Sequence, residues 1–490
     1  MSRGLGDVYK RQFLSYTTQL NEVHGLTAMV GTQYDRTEYE YSSTKAKNVD
    51  PTLGVLNGTG IVSIDKVDKW KEAIMSYFGR VNYNYKEKYL IEANARYDGS
   101  SKFQPENRWN FFYGFSGGWR ITQEPFMEVV RNYVDEIKLR ASYGEVGNQS
   151  GISRYDGIQL YESVSNAGAY LGDGLTSYLK AGNLVSTERT WERIHNYNLG
   201  LDFTALRGRL SGSFELFMKK NNNMLVGKLY PGVLGSKAPD MNSGKFESKG
   251  YDGTLIWKDK ISDFSYHVGA TLTYMENKLI SGGENVKAVG YNSALNDYPL
   301  NSVFGYRCVG KIQNEEQLKK YKERYLMNNS IGIPANLRLG DNMYEDVNND
   351  GKLSQEDLIY LGSDDPKFSF SFNLGFAWKG IDFSAVLQGV GKRTVYRSID
   401  AWKVPFKAIW LNTTNQSVGN VWSPETPDNY YPTYTNNTNL NDYNYMSSTW
   451  SADNGAYLRL KDVVLGYTLP KSVLNKICLL YTSPSPRDTR

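Results

Sequence analysis

Long apolar runs are missing from this chain. No stretch of about 18 consecutive apolar residues occurs, so no helix crosses a membrane, and mean hydropathy is -0.53. Histidine is scarce at 3 residues, and cysteine at 2, Cys308 and Cys478, which the sequence does not pair; Cys308 reads as an isolated thiol. His24, His195 and His267 lie far apart, and no nucleophile elbow, phosphate loop or zinc spacing accompanies them, so no catalytic centre is legible. The two histidines near strands, His195 and His267, read as polar wall residues. An excess of one charge is lacking as well. With 56 basic and 52 acidic residues well mixed, the net +4 leaves no footprint for nucleic acid.

What is abundant is aromatic: 38 Tyr, 19 Phe and 10 Trp in 490 residues, beside 46 Gly. Aromatic enrichment without general hydrophobicity suits sheets whose two faces meet different solvents. The arrangement confirms a period of two. Phe368, Phe370, Phe372, Leu374, Phe376 and Trp378 alternate with Ser369, Ser371, Asn373, Gly375 and Ala377. The same pattern returns where Tyr89, Ile91, Ala93, Ala95 and Tyr97 alternate with Glu92, Asn94, Arg96 and Asp98. It returns again in Leu210, Phe214, Leu216 and Met218 against Ser211, Ser213 and Glu215, and around His267 in residues 264–274.

Connections alternate as well. Short links at 85–88, 205–208, 258–262 and 379–381 join strand pairs, and long ones occupy about 37–69, 144–190, 220–247, 277–366 and 390–455. All long loops then leave one rim, as in outer-membrane barrels. The reading is all-β: a transmembrane antiparallel β-barrel, incomplete, with about thirteen strands of a larger barrel and long extracellular loops. A soluble β-sandwich or propeller also alternates, but its strands are usually shorter than the runs of ten or more seen here.

The termini break the pattern. Residues 1–12 and 478–490 resemble translated adaptor sequence, and the first lacks the apolar core of a secretion signal. They are set aside as non-native tails, leaving residues 13–477 as a partial barrel.

One constellation suggests a metal. In residues 346–357, Asp346, Asn348 and Asp350 occupy positions 1, 3 and 5 of a calcium loop, Gly351 position 6, Lys352 the carbonyl position 7, and Asp357 position 12. The alternative is an Asn/Asp/Gly turn held by its own side chains. Elsewhere in the external loops, residues 428–446 crowd Tyr with Asn, as a glycan-binding rim, as interface aromatics with plain loop, or as a partner contact. Residues 315–326 read as a short helix with acidic residues first, a solvated surface element.

Five segments, in order, carry a resemblance: 136–150, 190–220, 340–357, 367–388 and 457–474. Together they resemble the barrel of SusC/RagA-type TonB-linked outer-membrane transporters of Bacteroidota, across most of residues 13–477. The resemblance implies a plugged barrel of roughly 22 strands, of which this chain holds neither the plug nor the TonB-contacting segment. It implies import of oligosaccharides or peptides, capture by a SusD-like surface lipoprotein, energy from the TonB complex through the plug, and an apolar belt in outer-membrane lipid. Glu92, Arg96, Ser211, Glu215, His267 and Asn373 would then face the lumen. Alternatives are a passive porin and a soluble all-β glycan-binding or glycan-cleaving protein.

Overall fold

The computed structural model describes residues 2–470 apart from 48–60, 166–167, 169, 172–173, 228–232, 234–238, 283–289, 291–294, 327–332 and 398–414. Cys478 and the tail at 478–490 fall outside the described residues. One antiparallel sheet of thirteen strands dominates, each strand hydrogen-bonded to the next in chain order. Its strands are β1 (Ser2–Leu20), β2 (His24–Lys47), β3 (Ile61–Tyr85), β4 (Tyr89–Ser100), β5 (Trp109–Arg120) and β6 (Val134–Asn148). They continue as β7 (Glu192–Ala205), β8 (Leu210–Val226), β9 (Met241–Ile261), β10 (Phe264–Ser281), β11 (Phe368–Trp378), β12 (Ile381–Val390) and β13 (Tyr457–Tyr467). Among the described residues no pairing joins β1 to β13.

The tight links are hairpin turns with left-handed central residues, Lys86 and Glu87 at φ 52° and 51° and Leu206 and Arg207 at 57° and 59°. Such turns carry the twist that adjacent strands need. The β5–β6 link is longer and holds two 3₁₀ turns.

Strands run further than their apolar period. Residues 2–12, set aside in the sequence reading, pair with 32–42 as the first part of β1, and much of the 37–69 link is ladder as well. The reason is that these segments show charge on the face that is apolar lower down: Lys69 meets Glu40 at 3.1 Å and Lys71 meets Glu38 at 3.2 Å. Period-two hydrophobicity marks only the part of a strand whose faces differ in solvent.

On the apolar face, pairing places like against like. Phe264 is opposite Trp378, Tyr266 opposite Phe376, and Tyr274 opposite Phe368. Rings cluster at both ends, Phe264 against Phe376 at 5.6 Å and Tyr274 against Phe368 at 4.9 Å. The ends stand ten positions apart, about 33 Å along a strand and about 25 Å tall at a tilt of about 40°, the height of a hydrocarbon band between aromatic girdles.

Two long loops form a second body. Its core holds Ile312, Leu337, Tyr344 and Leu353 from residues 282–367 and Leu440 and Tyr443 from residues 391–456. The helix α1 (Glu315–Leu326) turns Leu318, Tyr321 and Tyr325 into this core, so it is not the solvated element that its charges suggest. A second helix, α2 (Thr438–Asn444), carries Tyr443 and Asn444. The Tyr- and Asn-rich stretch is neither plain loop nor lipid-facing aromatic: Tyr431, Tyr443 and Tyr445 are buried. Asn342 N–H donates to Asn444 Oδ1 at 2.8 Å, Asn342 Nδ2 donates to the Asn444 carbonyl at 2.7 Å, and Asn444 Nδ2 donates to Asp341 at 2.8 Å. Buried amides thus add to a short backbone bridge between the loops, where Tyr306 N–H donates to the Ser447 carbonyl at 2.8 Å and Thr449 N–H to the Tyr306 carbonyl at 3.0 Å.

Two expectations follow. Leu353→Ala, at a fully buried position, should cost ~2–5 kcal/mol and, by hydrogen exchange, lower protection in residues 302–312 and 438–446 together while the sheet keeps its own. Loss confined to one loop would refute a shared core. At the short-turn rim, Glu124 accepts hydrogen bonds from Lys88 (2.9 Å), Tyr89 (2.7 Å) and Trp119 (3.0 Å), which hold its carboxyl near about 2 from an ordinary 4.5. Because the folded pKa is the lower one, this stabilisation is present above 4.5 and is lost as pH falls toward 2. Thermal unfolding of Glu124→Gln should therefore fall below the parent at pH 7 and converge with it in acid, and parallel curves would exclude the linkage.

Candidate functional site on the polar face

Register alone assigns the polar face. Reading across from β4, Glu92 pairs with Ser116, Ser116 with Ser142, Ser142 with Asn198, and Asn198 with Phe217. Each step keeps the same side, because paired residues in an antiparallel sheet point together. By the same walk Glu92, Arg96, Ser211, Glu215, His267 and Asn373 share one face, opposite the aromatic bands.

They do not form one cluster. Glu92 lines a hollow of about 1050 Å³ with Thr27, Asn82, Asn84, Ser142 and Asn198. Arg96 sits further toward the long loops and donates to Asp98 at 2.6 Å and Ser76 at 2.8 Å. His267 lines a separate hollow of about 610 Å³ at the short-turn end, and Ser211 and Asn373 line neither. His195 stands on the other face, opposite Glu145 and 3.0 Å from the Tyr143 hydroxyl, so it is not part of the polar wall.

The charged centre of the wall is one that sequence reasoning missed. Arg140 on β6 holds Asp202 on β7, Nε to the carboxylate at 3.1 Å, and reaches past β7 to Glu215 on β8. The path crosses Gly200, where a Cβ would come within 2.7 Å of the guanidinium carbon. A glycine inside a strand was the available signal, since it marks close approach by another group. Asp252 is opposite Glu215 on the next strand and extends the acidic side.

Residues 346–357 lie outside the sheet, against α1. Asp346 accepts from the backbone N–H of Gly351 at 2.8 Å and Asp350 at 3.2 Å, and from Arg324 at 2.9 Å. Burial pushes its carboxyl up, and those donors outweigh burial, so the pKa lies below the ordinary value. Asp357 accepts from Val347 and Ser354 N–H, both at 2.8 Å. Asn348 accepts from Asp350 N–H, Asp350 accepts from Lys352 N–H, and Gly351 has φ 82°. The oxygens have the kind and order that a hard cation takes, but one Asp346 oxygen already faces Arg324. Among the described residues no three His, Cys, Asp or Glu side chains converge.

Comparison with known proteins agrees with this geometry. A family model for the β-barrel of TonB-dependent receptor-like proteins matches residues 3–475. The TonB-dependent receptor P26 of Formosa agariphila is 27% identical over 482 residues, covering 93% of this chain and 46% of the relative. TonB-dependent receptor SusC of Bacteroides thetaiotaomicron is 26% identical over 407 residues, 81% of this chain and 38% of SusC. The RagAB peptide importer in its open-open state superimposes with a TM-score of 0.76 at 21% identity, covering 96% of this chain and 49% of that one, a likeness of fold. The chain spans about half the length of the first curated relatives it matches. These relatives are receptors and not enzymes, and the family resides in the outer membrane. With its girdled face toward lipid and its polar face inward, the chain belongs to the TonB-dependent receptor-like β-barrel family.

Proposed function

We propose that this chain is the barrel portion of a SusC-like TonB-dependent transporter that imports oligosaccharides or peptides with a SusD-like lipoprotein. The observation that carries the reading is the wall of the larger hollow, where Thr17, Gln19, Thr27, Asn82, Asn84 and Ser116 sit with Glu92 and Arg140. Such solutes carry a hydroxyl or amide at every unit and lose water hydrogen bonds on entering a pore. A wall of mostly neutral donors and acceptors, whose charged members are three cations (Lys86, Lys138, Arg140) and three carboxylates (Glu22, Glu87, Glu92), replaces those bonds with no net charge to trap the solute. Arg140, neutralised by Asp202 and Glu215, adds polarity with little free field.

In this reading the polar face also grips a plug, and the TonB complex supplies energy by pulling on it. A passive porin needs neither, which gives the test. In cells producing the full-length protein, uptake of a labelled oligosaccharide or peptide should fall to background when a protonophore collapses the proton gradient. Uptake that persists unchanged would assign the barrel to passive diffusion.

A second proposal concerns the loop at 346–357: a structural calcium ion held by Asp346, Asn348, Asp350, the Lys352 carbonyl and Asp357. What favours it is the turn itself, with Gly351 left-handed at position 6 and buried carboxylates at positions 1 and 12. An ion there displaces Arg324 from Asp346. Calorimetric titration with calcium should give heat that Asp350→Ala abolishes. A flat titration of the parent would leave only the self-held turn.

A further inference from the structure

One link at the short-turn rim departs from the others. Elsewhere the tight turns carry charged and small residues, such as Lys86 and Glu87, Arg207 and Gly208, and Lys379 and Gly380. Between β5 and β6 the chain instead runs through residues 121–133, with 3₁₀ turns at Ile121–Gln123 and Pro125–Val130. Its outward side chains are apolar: Phe126 is 64% exposed, Val129 84% and Tyr133 68%, and Val130 is exposed with them. Phe126 and Val129 are three apart, which in a 3₁₀ turn stacks them on one side. Contiguous apolar side chains of this kind mark a surface that something covers.

Hydrogen bonds fix the side of the wall on which this link sits. Pro125 holds Glu124 extended, at φ −82° and ψ 145°, and the Glu124 carboxylate accepts from the Tyr89 hydroxyl and the Trp119 indole. Trp119 pairs with Leu139, Leu139 with Leu201, Leu201 with Phe214, Phe214 with Gly253, Gly253 with Leu272, and Leu272 with Phe370. That walk ends on the apolar face, and Tyr89, opposite Trp119, shares it. The carboxylate therefore latches the link to the lipid-facing side and not to the lumen. At the far end the Leu206 N–H donates to the Tyr133 carbonyl at 2.8 Å, and Leu206 adds one more exposed apolar side chain from the next hairpin.

Continuity with the lipid-facing side selects the occupant. The short-turn rim of an outer-membrane barrel meets the periplasmic leaflet, at the level where acyl chains give way to phosphates. Charge within the segment suits that boundary. Glu128 and Arg131 lie between the apolar positions, and Lys88 meets Glu124 at 2.9 Å. Arg131 also donates to the Thr122 carbonyl at 3.2 Å, which folds the link back on its own start. Apolar side chains interspersed with charge on a short turning segment are the composition of an interfacial anchor. We propose that residues 125–133 form an interfacial foot, whose Phe126, Val129, Val130 and Tyr133 enter the phospholipid of the periplasmic leaflet beside the short-turn aromatic band. The foot needs only the outer-membrane location of the family, not import of any solute.

Spin labelling tests it on the full-length protein, its other cysteines replaced by serine, in vesicles of phosphatidylethanolamine and phosphatidylglycerol. A nitroxide on Val129→Cys should collide more often with oxygen, which partitions into lipid, than with a water-soluble nickel chelate, at a depth of about 5–10 Å past the phosphates. A label on Phe126→Cys should report the same, whereas one on Asp263→Cys, in the β9–β10 turn, should prefer the chelate. Both foot positions are exposed, so cysteine removes no core contact, and heat-modifiable gel mobility checks that each variant folds. A label at either foot position that prefers the chelate would place the link in water. One screened from both reagents would place it against protein, whether a second copy or a periplasmic partner. Each result overturns the foot. Leu139→Cys, on the lipid face, should read oxygen whatever the foot does, so a failed foot and a failed membrane reading give different results.

Discussion

Everything in this molecule depends on the unbroken ladder of backbone hydrogen bonds that runs from β1 to β13. In hydrocarbon an unpaired N–H or C=O has no water to turn to and costs several kcal/mol, so a sheet survives there only if each strand is satisfied by its neighbours. That requirement fixes register, and register fixes faces. A slip of one residue between β10 and β11 would send Phe368, Phe372 and Trp378 to the polar side and Ser369 and Asn373 into lipid. The aromatic pairs, Phe264 with Trp378 and Tyr274 with Phe368, add a second reason against slippage, because each girdle forms only in the observed alignment.

Once the faces are set, the polar wall has little freedom. Side chains there cannot move to find partners, so long ones must cross strands. Arg140 does this over Gly200, linking three strands by one guanidinium. The same geometry explains why charges on the wall come with small neighbours: His267 uses Gly375 as Arg140 uses Gly200. What remains between such crossings in the larger hollow is lined mostly by amides, hydroxyls and glycine backbone, with three cations, Lys86, Lys138 and Arg140, and three carboxylates, Glu22, Glu87 and Glu92, among them.

The sheet was legible because lipid imposes a strict period on residues such as 368–378 and 264–274. Where that solvent contrast ends, legibility ends with it. In β2 and β3 above the girdle, Glu38, Glu40, Lys69 and Lys71 meet water, and nothing in their order distinguishes a ladder from a loop. The helix 315–326 was readable from its charges, but its buried side, Leu318, Tyr321 and Tyr325, depends on partners in both loops, Tyr344 as well as Tyr443. The wall residues Glu92 and Glu215 could be chosen by alternation, and Arg140 could not be ranked above them, since its importance comes from Asp202 and Glu215 on other strands. The histidines illustrate the limit of counting by two. His195 and His267 look alike in sequence, yet register puts them on opposite faces.

The loop body obeys a different constraint from the sheet beneath it. In water the backbone can bond to solvent, so the 282–367 and 391–456 loops need no long ladder; a short bridge at Tyr306 and Ser448 and a shared buried core join them. Tyr344 donates its hydroxyl hydrogen toward the Tyr443 and Asn444 carbonyls, both at 3.0 Å, and Tyr443 reaches the Asn342 carbonyl at 2.8 Å. Neither loop alone satisfies these groups, and a buried polar group without its partner costs about 1–3 kcal/mol. The two loops therefore order together. Because each is anchored to the ends of sheet strands, a force on one reaches the other through Asn342 and Asn444 without passing through the barrel wall. The molecule thus combines a wall made rigid by its solvent with an external body made cooperative by its own core.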